Sequence, residues 1–163
     1  GFDLPVIHYR CMVHGVVAAD YWRSDEDFRF NNYRNRYHER HTDLMDVLSG
    51  FQVRAAARLD SLAATLGLPG KIGMHGAEVW REHLAGNLDG IRSYCEVDAL
   101  NTYMLYLRFE HIRGHLSARG FAEESQRVRD LLVASEANHW RDFLSQWRTK
   151  EEWCAVPQGS GGA

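Results

Sequence analysis

Apolar and polar positions alternate along this chain mostly with helical spacing. Leu4 to His14 is apolar, with Pro5 near its start and Gly15 after it, which predicts a helix over 4–14 because proline suits a first helical turn and glycine a stop. Residues 20–41 lose periodicity: Tyr21, Trp22, Phe28, Phe30, Tyr33 and Tyr37 interleave with Arg23, Arg29, Arg34, Arg36 and Arg40, so a long loop with one short helical turn is expected. His41 to Leu48 is short and mostly apolar after Asp43, the pattern of a buried strand. Helical spacing returns over 54–66 and stops at Gly67-Leu68-Pro69-Gly70, then resumes over 76–85 until Gly86-Asn87. A long helix is predicted over 89–113, with Ile91, Cys95, Met104, Leu105 and Leu107 among its apolar members. Two more follow over 123–134 and 139–147, the last with Trp140, Phe143, Leu144 and Trp147 on one side.

A chain of 163 residues can bury a substantial core, and 45% hydrophobic with 25% charged residues is ordinary globular composition. The net charge of −3 argues against a protein that coats duplex nucleic acid, less against an enzyme that holds a few nucleotides through carboxylate-bound metal. Three widely spaced cysteines, Cys11, Cys95 and Cys154, show no metal-binding pair or disulfide framework, so a reducing cytoplasm is expected, and Cys95 is expected to point into the core. No apolar stretch approaches the length of a membrane span.

The densest candidate chemistry is Tyr94-Cys95-Glu96-Val97-Asp98. Residues four apart share a helix face, so the Tyr94 phenol and Asp98 carboxylate can converge on one point, where they could hold a divalent cation and orient a water bound to it. Such a pair is by itself also an ordinary surface hydrogen bond. Other candidates are plainer. The arginine–aromatic segment could stack bases and track phosphates, with Arg34 and Arg36 as contacts, or could pack on its own domain, since Asp20, Asp25, Glu26, Asp27 and Glu39 balance its five arginines. Lys71 could reach a phosphate from its turn. His38, His41 and Asp43 have spacing compatible with zinc but lack a fourth ligand, and Asp43 and Asp46 are read as structural hydrogen-bonding groups.

Several segments in order resemble the DEDDy 3′→5′ exonucleases, in particular the bacterial group related to the proofreading domain of family-B DNA polymerases. Phe2-Asp3-Leu4-Pro5 is similar to the second exonuclease motif, and His41-Thr42-Asp43-Leu44-Met45-Asp46 to the strand that follows it. Leu59-Asp60-Ser61-Leu62-Ala63 with Leu66-Gly67-Leu68-Pro69-Gly70-Lys71 resembles a segment of that group. Tyr94-x-x-x-Asp98 is similar to the third motif, and His139-Trp140 through Trp147 to the ending. One departure is His75, where the group has an acidic residue before the glycine.

The resemblance implies an α/β, ribonuclease H-like exonuclease fold. It implies that Asp3 and Asp98 are metal ligands, close enough to share a pair of Mg²⁺ or Mn²⁺ ions about 4 Å apart, and that Tyr94 positions the attacking water. The implied substrate is the 3′ end of single-stranded or frayed DNA or RNA. The first motif of the group, Asp-x-Glu, does not precede Asp3, so the chain is expected to be N-terminally incomplete and mainly helical with few strands. It is also expected to hold metal weakly, to have little activity alone, and to be prone to self-association. Residues 1–115 are then read as the C-terminal part of the exonuclease domain, 116–150 as a helical extension and 151–163 as a flexible tail. The competing readings are a catalytically inactive module that binds nucleic acid or a protein partner, and a helical domain with coincidental motifs.

Overall fold

A computed structural model describes residues 3–148. The tail expected at 151–163, and Cys154 in it, lie outside the described residues. Packing divides the chain into two units, Gly1–Ala56 and Ala57–Ala163, taken here in turn.

The first unit opens with helix α1, Asp3–His14. Gly15 adopts φ +63°, and the Val16 N–H turns back to the Cys11 carbonyl at 2.9 Å, the glycine-dependent helix stop that the sequence predicts. A short helix α2, Ala19–Trp22, and a 3₁₀ turn, Glu26–Phe28, lead into the irregular segment. Asparagines take the place of regular structure there. Asn32 Oδ1 accepts from the Arg34 and Asn35 N–H groups at 3.1 and 2.9 Å, and Asn31 Oδ1 accepts from those of Glu39 and Arg40, both at 3.2 Å. These bonds meet the needs of a backbone that neither helix nor sheet serves. Buried Phe28 anchors the loop, with the Arg23 and Arg40 guanidinium groups 4.3 and 4.0 Å from its ring centre.

The strand expected over His41–Leu48 is instead helix α3, Leu44–Leu48. The Asp43 carboxylate accepts from the Met45 and Asp46 N–H groups at 3.0 and 3.3 Å and so caps a helix start. A short, mostly apolar run reads equally as strand or buried helix, and here the cap decides. Gly50 and Phe51, at φ +60° and +62°, end it. Among the described residues there are no β-strands, so the sheet of the expected α/β fold is absent from them.

The second unit is a helical assembly around one long element. Helix α4, Leu59–Thr65, is followed by the Gly67–Gly70 turn, a 3₁₀ turn Gly76–Glu78 and helix α5, Val79–Leu84. Helix α6 runs Leu88–Ile112, α7 Ala118–Ala134 and α8 Asn138–Gln146. α4 begins later than the apolar spacing over 54–66 suggests, because residues 53–55 form a separate 3₁₀ turn. α7 begins earlier than Glu123, because Ser117 caps it by accepting from the Gly120 N–H at 3.0 Å, placing Gly120 in the first turn rather than at a break.

α6 packs against α4, α5, α7 and α8, and α7 against α8. The core gathers Ala63, Leu68, Val97, Met104, Leu107, Val128, Leu132, Phe143 and Trp147, so α7 and α8 share the core of α6. Phe143, at 0% exposure, and Val97, at 2%, each contribute on the order of 1.5–3 kcal/mol relative to exposure. Asn101, also at 0%, is the polar member of this layer. Its Nδ2 donates to the Gly70 and Val97 carbonyls at 2.7 and 3.0 Å, holding the Leu-Pro-Gly turn against α6.

Candidate active site on helix α6

Tyr94 and Asp98 lie on successive turns of α6, about 6 Å apart along its axis, both half-buried. The structure brings this pair together as the spacing predicts. Burial, then the adjacent Asp98 carboxylate, which attracts the phenolic proton, push the Tyr94 phenol up to about 12. Tyr94 is therefore a neutral hydroxyl at neutral pH, a hydrogen-bond donor rather than a base. Asp98 Oδ1 is enclosed and takes no hydrogen bond. A buried carboxylate oxygen with open lone pairs suits a cation ligand, since leaving it bare is costly.

The backbone opposite makes room for the phenol. A Cβ on Gly76 would lie 3.2 Å from the Tyr94 hydroxyl, so glycine here permits a close approach. His75 begins the 3₁₀ turn, and Glu78 Oε2 accepts from its backbone N–H at 2.9 Å. The position that departs from the exonuclease pattern thus has a capping role.

Between the motif residues, Glu96 Oε1 accepts from Arg92 Nε at 2.8 Å, and Glu96 Oε2 lies 2.8 Å from His139 Nε2 on α8. The Arg92 bond, opposed by some burial and aided by His139, holds the Glu96 carboxyl below its usual range. Cys95 is exposed, not directed into the core: Val97 and Asn101 take the inward face of α6, which turns Cys95 outward.

A pocket of about 240 Å³ opens beside Tyr94. Ile72, Gly73 and Met74 form one wall, and Gly90, Ser93, Tyr94 and Val97 of α6 a second. His139 and Asp142 of α8 form the third. Sequence reasoning missed this pocket. The apolar face of 139–147 was legible, but nothing in its spacing marked His139 and Asp142 as neighbours of Tyr94.

The remaining candidates are placed as follows. Asp3 is the first residue of α1, exposed, in the first unit, whereas Tyr94 and Asp98 are in the second. Arg36 pairs with Asp46 at 2.8 Å and lies 5.3 Å from the Phe51 ring centre, and Arg34 lies 5.7 Å from that of Trp22. Lys71 is half-buried; against the upward push of burial, Arg58, the Ser61 N–H and Lys71 together hold Asp60 low. His38 Nδ1 accepts from the Asn32 N–H at 2.9 Å, and Asp43 caps α3. No group of three or more His, Cys, Asp or Glu side chains placed to hold a metal occurs among the described residues. Nor is any described helix long and apolar enough to cross a membrane.

Helix α6 thus carries a Tyr-x-x-x-Asp pair with an unsatisfied carboxylate oxygen, beside a pocket. Residues 1–147 match a family model, and the chain belongs to that family, the predicted 3′-5′ exonucleases related to the exonuclease domain of PolB. No curated protein and no solved structure matches it.

Proposed function

We propose that the chain carries catalytic side chains of a metal-dependent 3′→5′ exonuclease of the DEDDy type, built on a ribonuclease H-like fold and acting on 3′ ends of single-stranded or frayed DNA or RNA. The observation that carries this is the bare, enclosed Asp98 Oδ1 beside a phenol held protonated. Asp98 and Asp3 are each proposed as a ligand of Mg²⁺ or Mn²⁺, ions that carboxylate oxygens suit. Metal bound there would supply hydroxide near neutral pH and stabilise charge on the phosphate and the departing 3′ oxygen. Tyr94 donates its hydroxyl to orient the nucleophile and keeps its proton throughout. Asp98 keeps that phenol neutral by its charge, and Gly76 leaves the hydroxyl its space. Lys71, Arg34 and Arg36 are proposed substrate contacts, although Arg36 must first leave Asp46.

Mn²⁺ relaxation of amide signals around α6 tests the metal role without relying on turnover. Signals at Tyr94 and Asp98 should broaden in the native chain and much less in Asp98→Asn. Equal broadening in both would end the reading. Any hydrolysis should shorten a 5′-labelled single strand from its 3′ end and disappear in Asp98→Asn. A second reading, an exonuclease-like module that binds nucleic acid or a partner protein without catalysis, draws support from the lack of a three-ligand cluster among the described residues. Binding of single strands indifferent to Mn²⁺ and to Asp98→Asn would favour it.

A further inference from the structure

We infer that Asn101 is a positioning residue: its amide holds the Gly70 carbonyl so that Lys71 stands beside Asp98 and meets a backbone phosphate of a bound strand. This rests on the exonuclease reading and deepens it, by naming the internal contact that sets a proposed substrate contact against a proposed metal ligand. The course of the chain carries the first part of the case. Gly70 O accepts from Asn101 Nδ2 at 2.7 Å, Ile72, Gly73 and Met74 share a pocket with Tyr94 and Val97, and Gly76 faces the Tyr94 hydroxyl. Residues 70–76 therefore run antiparallel to α6 from Asn101 to Tyr94, about 10 Å of its axis. Lys71 is the first residue past the Asn101 tie. Asp98 lies about 4.5 Å along the axis from Asn101, a distance that the four-carbon stem of a lysine spans.

The fixity of the turn carries the second. Gly70 has φ +67°, and a Cβ there would lie 3.2 Å from the Asp60 carbonyl oxygen, so the turn sits tightly against α4 as well as α6. The Gly67 carbonyl accepts from the Arg148 N–H at 2.9 Å, and Ile72 packs on the core. Lys71 thus leaves a backbone pinned on both sides, and little ordering of the chain is left for the moment a phosphate binds.

Chemistry carries the third. Asn101 is at 0% exposure, and its Oδ1 is enclosed without a hydrogen bond. A bare amide oxygen in a core is unfavourable, so the favourable contribution of this side chain comes from Nδ2. Val97 lies within α6, whose own ladder serves its carbonyl, and the tie to Gly70 is what the amide adds. Among the described residues Lys71 forms no ion pair: Asp60, near enough to feel its charge, pairs with Arg58 at 3.4 Å. Its ammonium is open to a phosphate, whereas Arg36 is engaged by Asp46.

Binding of a fluorescent oligothymidylate at fixed Mn²⁺, over a KCl series, tests this in the native chain, Lys71→Gln, Asn101→Ala and the double variant. Lys71→Gln should weaken binding and lower the salt slope by about 0.7, the counterion released by one phosphate of a single strand. Asn101→Ala should reproduce both effects, and Lys71→Gln should add little to it, because the cation is already misplaced. Gly70→Ala, which displaces the same turn from the α4 side, should behave as Asn101→Ala does and serves if that variant fails to fold. Val128→Ala, a core truncation away from the turn, should keep the native slope and the full response to Lys71→Gln. A Lys71→Gln effect of equal size with and without Asn101 overturns the proposal. So do a native slope in folded Asn101→Ala, a neutral Lys71→Gln, a loss in Val128→Ala as large as in Asn101→Ala, or a native chain that binds no strand. In each of these cases Asp98-dependent Mn²⁺ broadening leaves the metal reading standing. The predicted non-additivity without that broadening sinks the metal reading and keeps the tie.

Discussion

Asn101→Asp offers a sharp test of how the site is held. Asn101 is wholly buried, and both neighbours of its Nδ2 are carbonyl acceptors, at Gly70 and Val97, so the amide orientation has one sensible assignment. Aspartate keeps the volume but replaces the donor with an oxygen facing a carbonyl at 2.7 Å. Ionised, it is an unpaired buried charge one turn from Asp98. Protonated, its hydroxyl can still donate to Gly70. Desolvation should thus raise its folded pKa by about 3 units above the unfolded value near 3.9, or roughly 4 kcal/mol at pH 7. The sign follows from linkage: the penalty is absent below the unfolded pKa, grows as pH rises toward the folded pKa, and is constant above it. With a urea slope of about 2 kcal/mol/M, the unfolding midpoint at pH 7 should fall by about 2 M, and the gap to the native chain should close near pH 4. Helix signal in urea at pH 4, 5.5 and 7 measures this. A penalty below about 1 kcal/mol at pH 7, or one that does not change with pH, would refute the reasoning.

Three other outcomes are expected. Tyr94, with a folded pKa of about 12 against about 10 unfolded, loses stabilisation as pH rises from 10 to 12, so Tyr94→Phe should flatten that part of the alkaline decline and remove one late phenolate from the absorbance titration. Phe143→Ala, at a fully buried core position, should cost about 3–5 kcal/mol in urea unfolding. Asp43→Ala removes the cap of α3 and should cost about 1 kcal/mol locally, read as faster amide exchange at Met45 and Asp46.

The arginine–aromatic segment is organised mainly for its own packing. Arg23, Arg36 and Arg40 are engaged by rings, by Asp25 and Asp46, and by the Asn31 carbonyl. A strand of nucleic acid would have to compete with those partners. Trp22, Phe30 and Tyr37, at 50%, 78% and 68% exposure, are the aromatic surface it leaves open.

Local sequence determined the elements whose cause is local. Gly15 after α1, the Gly67–Gly70 breaker after α4, and the apolar stripe of α6 with Tyr94 and Asp98 four apart all act within a turn or two, and each is found where the spacing places it. His41–Leu48 was ambiguous because a short apolar run has no period to read, and a side-chain cap at Asp43 settled it. Tertiary structure alone decided the rest. Which α6 residues face inward depends on α4, α7 and α8 together, so Cys95 is outside while Asn101 is buried. Gly76 lies against a phenol eighteen residues later, and His139 meets Glu96 across forty-three. Contacts at such separation come from how helices pack, and no local spacing encodes them.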